Sequence, residues 1–182
     1  KALGKSIILL KRFDRMGNRR IPFISAMSML NANDGESGDY SYLDIAEIIR
    51  IKGVNIKEDL KELWSRMLFS ILISNTDDHL RNHGFLKLEP NGWSLSPLYD
   101  VNPSIDRTSN LQLNIDETSS ATSIDLALSV ADYFGLSKSE ADKILKHQIT
   151  AVSEWKTIAR HLGIGNAEIL RMSAAFKTNE VL

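Results

Sequence analysis

The sequence predicts a mainly helical domain that carries one small β-hairpin element. Apolar residues step by three and four through Leu60, Leu63, Trp64, Met67, Leu68, Ile71 and Leu72, the period of an amphipathic helix. The segments GFLKL and WSL flank EPNG, whose Pro90, Asn91 and Gly92 have the chemistry of a tight β-turn. Beyond Ser123, helix starts and stops punctuate the chain and no strand pattern competes with them.

Taken in order, SIILLKRF (residues 6–13) is an apolar, β-favouring run ending in charge and reads as a buried strand. Asp14 to Arg20 contains Gly17 and Asn18 and reads as a turn. PFISAMSML is expected to form a short helix with Pro22 in its first turn, where the missing N–H costs nothing. NANDGESGDY is small and polar, a surface loop and the segment expected to move most. An amphipathic helix follows from Ser41 to about Lys52, with Leu43, Ala46, Ile48 and Ile49 on its apolar side. The clearest helix runs from about Lys57 to Ser74, with Glu58 and Asp59 at the positive end of its dipole. Its stripe reads as core, and it gives NTDDH a rigid base. Leu111 to Ile115 alternates like a short strand or extended segment. A helix from Ser123 to Phe134 is closed by Gly135. Ser137 and Glu140 form a capping box that opens a helix to about Leu162, stopped at Gly163. Asn166 is expected to cap a last helix to about Lys177. Without repeats or a linker, residues 1–182 read as a single domain.

Composition narrows the function classes. The 182 residues are 43% hydrophobic with a net charge of −1, enough for a packed core and no global pull toward nucleic acid or membrane. No cysteine is present, which excludes disulfides and zinc–thiolate sites. No apolar run reaches the roughly 18 residues that span a bilayer, so a reducing, cytoplasmic setting is expected. Charge is unevenly placed: Lys1, Lys5, Lys11, Arg12, Arg15, Arg19 and Arg20 stand against Asp14, whereas residues 34–47 are acidic. Solvated patches are the ordinary reading, and a phosphate-facing role for part of the basic one is the alternative.

The chemistry concentrates between Asn75 and Asp100. Asp77 and Asn82 form an Asp-x4-Asn pair, and Asp100 follows across the hairpin. Phosphoryl transfer to a hydroxyl needs a carboxylate beside the attacking oxygen and oxygen ligands for Mg²⁺. Protein kinases supply those groups in this arrangement, with Asp77 orienting the hydroxyl and accepting its proton. Asp77 could equally cap a turn or satisfy backbone amides, and Asp78 competes for its role. The hairpin would return Asp100 beside Asn82, so that one amide oxygen and one carboxylate reach a single Mg²⁺. His79 and His83 have the spacing of a helical metal pair, but Arg81 between them would repel a dication. His79 is expected to hold the loop by hydrogen bonds and His83 to begin the hairpin. Arg81 would pair with a carboxylate or touch a phosphate.

NTDDHLRNHGFL together with GWSLSPLYDVNPS resembles the C-terminal part of the HipA-type serine/threonine kinases, the toxins of bacterial toxin–antitoxin pairs. SIILLKRFDR resembles that family's hinge strand, and the resemblance extends through FGLSKSEADKIL and Trp155, over essentially the whole chain. It implies a protein-kinase-like C-terminal lobe with Asp77 as catalytic residue and Asn82 and Asp100 as Mg²⁺ ligands. Lys11, Arg12 and Phe13 would form the adenine hinge, and His79, Leu80, Arg81, Asn82 and Tyr99 would line the ATP site. It also implies a protein Ser/Thr acceptor and a small DNA-binding antitoxin of the HipB type, through which DNA would be met. No Gly-rich loop and no strand Lys precede the hinge. The chain is therefore expected to be a lobe without its full ATP clamp, with little or no kinase activity alone. Two other classes compete. One is a metal-dependent phosphohydrolase built on Asp77, Asp78, His79 and Asp100. The other is a non-catalytic module that docks a partner or DNA.

Overall fold

The computed structural model describes residues 7–89, 92–105 and 110–177. Its centre is helix α3 (Ile56–Leu72), the continuous apolar stripe of the sequence. Leu63, Trp64, Met67, Leu68, Ile71 and Leu72 on it are fully buried, and the Trp64 indole donates to Ala127 O at 2.8 Å. Each such side chain contributes on the order of 1.5–3 kcal/mol on leaving water, which makes α3 the structural axis. Helix α2 (Tyr42–Lys52) packs along it. Its N-terminus is fixed by a capping box between Ser41 and Asp44, and it buries Tyr42 and Ile45 in addition to Ala46, Ile48 and Ile49.

The expected hairpin is present as β4 (Gly84–Glu89) and β5 (Gly92–Leu95); Pro90 and Asn91 of its turn lie outside the described residues. A third strand, Phe23–Ser25, pairs antiparallel with the Gly84 strand in the register Ile24↔Phe85 and Ser25↔Gly84. The segment after Pro22 is therefore strand first and helix second, with Ser25 capping Ala26–Leu30. Pro22 fixes φ for extended backbone as readily as for a helix, and pairing with a neighbouring strand decides between them. Close approach demands glycine at residue 84: a Cβ there would lie 2.2 Å from the Phe23 ring. The turn at Gly17 and Asn18 joins two short antiparallel strands, Arg15–Met16 and Arg19–Arg20.

The apolar run near the start is not a buried strand. Ile8, Leu9 and Leu10 are 78%, 92% and 76% exposed and have no strand geometry; Ser6 of that run lies outside the described residues. A strand needs a partner ladder and a face to cover it, and the described residues supply neither.

The C-terminal helices keep their sequence signals, with shifts at the joints. Ser123 caps Ile124–Ser129, which passes into a 3-10 turn, Ala131–Phe134, closed by Gly135 at φ 74°. Ser137 and Glu140 form the capping box of Lys138–Ser153. A second helix, Trp155–His161, begins after a break at Glu154, where one helix to Leu162 was expected. In the last helix, Asn166–Met172, the cap is Gly165 and Asn166 is already helical. Trp155 stacks on Phe176 at 4.1 Å.

Candidate functional site

Helix α3 positions the site from one end. Its last turn leads through Ser74, in left-handed backbone at φ 52°, into the tight NTDDH bend. The bend is anchored by Asn75 N donating to Ser70 O at 2.8 Å and Ser104 N donating to Ser74 O at 3.1 Å. From mid-helix the buried Arg66 donates Nη2 to Ser96 O at 2.7 Å and Nε to Glu62 at 2.8 Å. Ser96 begins the stretch that carries Tyr99 and Asp100, so one rigid helix sets both chemical segments.

The two adjacent aspartates of the bend have opposite environments. Asp78 is buried: Ser70 Oγ donates to Oδ2 at 3.1 Å, the Tyr42 hydroxyl also donates to it, and His83 Nε2 lies 3.0 Å from Oδ1. Burial pushes the Asp78 carboxyl up, but His83, Tyr42 and Ser70 outweigh it and hold it below the usual carboxylate range. Asp78 therefore locks the bend to α2 and to the hairpin start, and is turned away from solvent. Asp77 is exposed. Its carbonyl accepts from Asn82 Nδ2 at 3.1 Å and its Oδ1 from Gln112 Nε2 at 2.5 Å.

Asp77 and Asp100 line one cleft of 710 Å³, together with Asn102, Ser104 and Gln112. A second cleft, of 820 Å³, is lined by Lys11, Arg12, Phe13, Phe23, Tyr99 and Asp100. Asp100 and Asn102 belong to both, so the two clefts meet at these residues. Asp100 is held in left-handed backbone at φ 55°, and its Oδ1 accepts from Asn102 at 3.2 Å. Phe13, Phe23 and Tyr99 form an aromatic trio with centroids 5.8–6.2 Å apart. Tyr99 donates its hydroxyl to Arg81 O at 2.5 Å. Burial, together with the Asp100 charge, pushes the phenol up to about 12, against an opposing pull from Arg66.

The sequence-derived candidates thus separate. Asp77, Asp100, Tyr99 and residues 11–13 come together around the paired clefts. Asn82 is buried behind the bend and meets Asp77 through its Nδ2, which leaves its Oδ1 as the acceptor. Leu80 is fully buried in the core, and its N–H faces Ser37 Oγ at 3.5 Å. Arg81 is exposed and paired with Asp34 at 2.7 Å. His79 is half-buried, with no hydrogen bond to its Nδ1 among the described residues. Arg12 pairs with Asp14 at 2.6 Å, and this hydrogen-bonded guanidinium holds the Asp14 carboxyl at about 2.

The hydrolase set does not converge, because Asp78 faces the interior. Among the described residues no three His, Cys, Asp or Glu side chains are grouped to hold a metal ion. Residues absent from the sequence reading are Gln112, Asn102, Phe23 and Arg66. Gln112 alone had a signal: it has the opposite parity to Leu111, Leu113 and Ile115 in an alternating run.

An α-rich scaffold that sets two exposed carboxylates along a cleft beside an aromatic trio defines the class, a mainly helical lobe built around one buried helix. The sequence over residues 1–155 matches the family of HipA-like C-terminal domains, and the chain belongs to that family. The match stops at Trp155, short of the last two helices, where the sequence resemblance had been extended over essentially the whole chain. Among solved structures, the fold is similar to HipA in the Shewanella oneidensis MR-1 toxin–antitoxin complex of HipA, HipB and operator DNA. That likeness has a TM-score of 0.69 at 17% identity and covers 92% of this chain. The chain spans less than half of that protein, 46%. No curated protein matches in sequence. No helix among the described residues is long and apolar enough to cross a membrane.

Proposed function

We propose that this chain is the protein-kinase-like C-terminal lobe of a HipA-like toxin and carries the transfer chemistry of an ATP-dependent serine/threonine protein kinase. The observation that carries the reading is the pair of clefts joined at Asp100, with Asp77 in one and the residue 11–13 segment with Tyr99 in the other. A nucleotide base fits the apolar cleft against Phe13, Phe23 and Tyr99, where an aromatic face stabilises a stacked ring. Its phosphates would then extend past Asp100 toward Asp77.

The support for Mg²⁺ is the chemistry of two oxygen donors, of which Asp100 alone lines the clefts and Asn82 lies buried behind the bend. Asp100 offers an exposed carboxylate and Asn82 an amide oxygen not used by its own Nδ2 bond, and Mg²⁺ takes one or two protein oxygens and the rest from phosphate and water. When bound, the ion would neutralise the charge that builds on the transferred phosphoryl group. Asp77 orients the acceptor hydroxyl and takes its proton at the carboxylate. Asp78 performs no transfer step and keeps the bend rigid. The acceptor is a protein Ser or Thr, the setting cytoplasmic, and the partner a HipB-like antitoxin through which DNA is met. No Gly-rich loop and no strand Lys precede residues 11–13 in this chain, so the chain alone should consume little ATP.

The test follows ATP consumption by the full-length protein in Asp77→Ala and Asp100→Ala variants. Each should lose activity by about 10²-fold or more, the usual contribution of such a group. Unchanged turnover in both variants would sink the assignment and favour a docking module.

A further inference from the structure

Gln112 is exposed, yet its backbone is clamped on both sides. Leu111 and Leu113 are buried in the core. Leu111 N donates to Ser120 O at 2.7 Å and Asn114 N to Tyr40 O at 3.0 Å. The segment is bent at Gln112 and Leu113 rather than a regular strand, and with residues 111, 113 and 115 buried residue 112 stands on the cleft wall beside Asp77. Its Nε2 donates to Asp77 Oδ1 at 2.5 Å. Among the described residues this is the only side-chain donor to that carboxylate, and Oδ2 accepts from none. Asp77 is thus held at both ends, its carbonyl by Asn82 and one carboxylate oxygen by Gln112.

A carboxylate that serves as base must present a free oxygen in a fixed direction. The terminal torsion of an Asp side chain is broad and roughly two-fold, so an unheld carboxylate samples many directions. A neutral amide donor fixes that torsion while leaving the carboxylate its charge, which a lysine in the same place would partly neutralise. We infer that Gln112 is a positioning residue that sets the Asp77 carboxylate so that Oδ2 alone meets the acceptor hydroxyl. The inference rests on the reading of Asp77 as base. Gln112 would act through Asp77, without contact to nucleotide or metal.

The experiment measures ATP consumption by the full-length protein carrying Gln112→Leu, which keeps comparable side-chain bulk and removes the donor. We expect kcat to fall about tenfold, with the KM for ATP within about twofold and an unchanged melting temperature. In an Asp77→Ala background the same substitution should cause no further loss, because a residue that acts through another is not additive with it. An equal loss in both backgrounds, or an unchanged kcat in Gln112→Leu, overturns the inference. If Asp77→Ala itself keeps wild-type turnover, the kinase reading has failed as well, and the two failures are distinguished. The contact can also be read without turnover by NMR of the chain. The Gln112 side-chain amide resonance should move when Asp77 becomes alanine, and an unmoved resonance refutes the contact.

Discussion

Asp77 and Asp78 are neighbours of identical chemistry, and exchanging them one at a time for alanine should separate structure from chemistry. Asp78→Ala removes the carboxylate that faces His83 Nε2 at 3.0 Å and accepts from Ser70 and Tyr42. It takes the shared acceptor away from the imidazole and both hydroxyls in the interior, leaving Ser70 Oγ only its contact from Asn75 Nδ2 at 3.4 Å. Breaking a buried charged contact in this way costs about 3–5 kcal/mol, and the stranded hydroxyls account for part of it. For a chain of this length each kcal/mol moves the melting temperature by about 2–4 °C, so the midpoint should fall by about 6–20 °C. Asp77→Ala, at an exposed position, should change stability by less than about 0.5 kcal/mol. Urea unfolding of the two variants against wild type is the assay. A cost below about 1 kcal/mol for Asp78→Ala, or an equal cost for both, would refute the division of roles.

The same pair carries a pH signature. The Asp78 carboxyl is held below its unfolded value, near 3.9, so its stabilisation is present above about pH 4 and disappears as pH falls through the folded value. The stability gap between wild type and Asp78→Asn should narrow below about pH 4 in acid titrations followed by circular dichroism. Gly84→Ala drives a Cβ against the Phe23 ring and should destabilise by about 1–3 kcal/mol, with a change in near-ultraviolet dichroism as the aromatic trio separates. Leu9→Ser, at a side chain 92% exposed, should leave the unfolding free energy from urea titration within about 0.5 kcal/mol; a larger loss would mean that the residue is covered. Ser137→Ala removes a helix cap and should cost about 1 kcal/mol in thermal unfolding.

What the sequence made legible was what local physics decides. The stripe on α3, the Ser137–Glu140 capping box and the hairpin depend on periodicity and turn chemistry within a few residues, and each stands where expected. What escaped depends on distant partners. The strand Phe23–Ser25 exists because residues 84–86 lie beside it. Ile8 to Leu10 have strand composition but no ladder. The break at Glu154 carries no Gly or Pro to announce it. The site shows the same division. Asp77 and Asp100 were legible from spacing. Asp78 could not be set apart from Asp77, because Tyr42, which shields it, is 36 residues away in sequence. Gln112 was placed in an alternating run without a role, since its partner is Asp77, 35 residues earlier.

The central claim is that Asp100 joins a nucleotide cleft to a transfer cleft and that Asp77 acts only in transfer. Calorimetric titration of Mg·ATP into the full-length protein tests it most directly. The expected result is binding by Asp77→Ala within about twofold of wild type, and binding by Asp100→Ala weakened by about tenfold or more, the loss of one charged contact. Equal affinity in Asp100→Ala and wild type would contradict the claim.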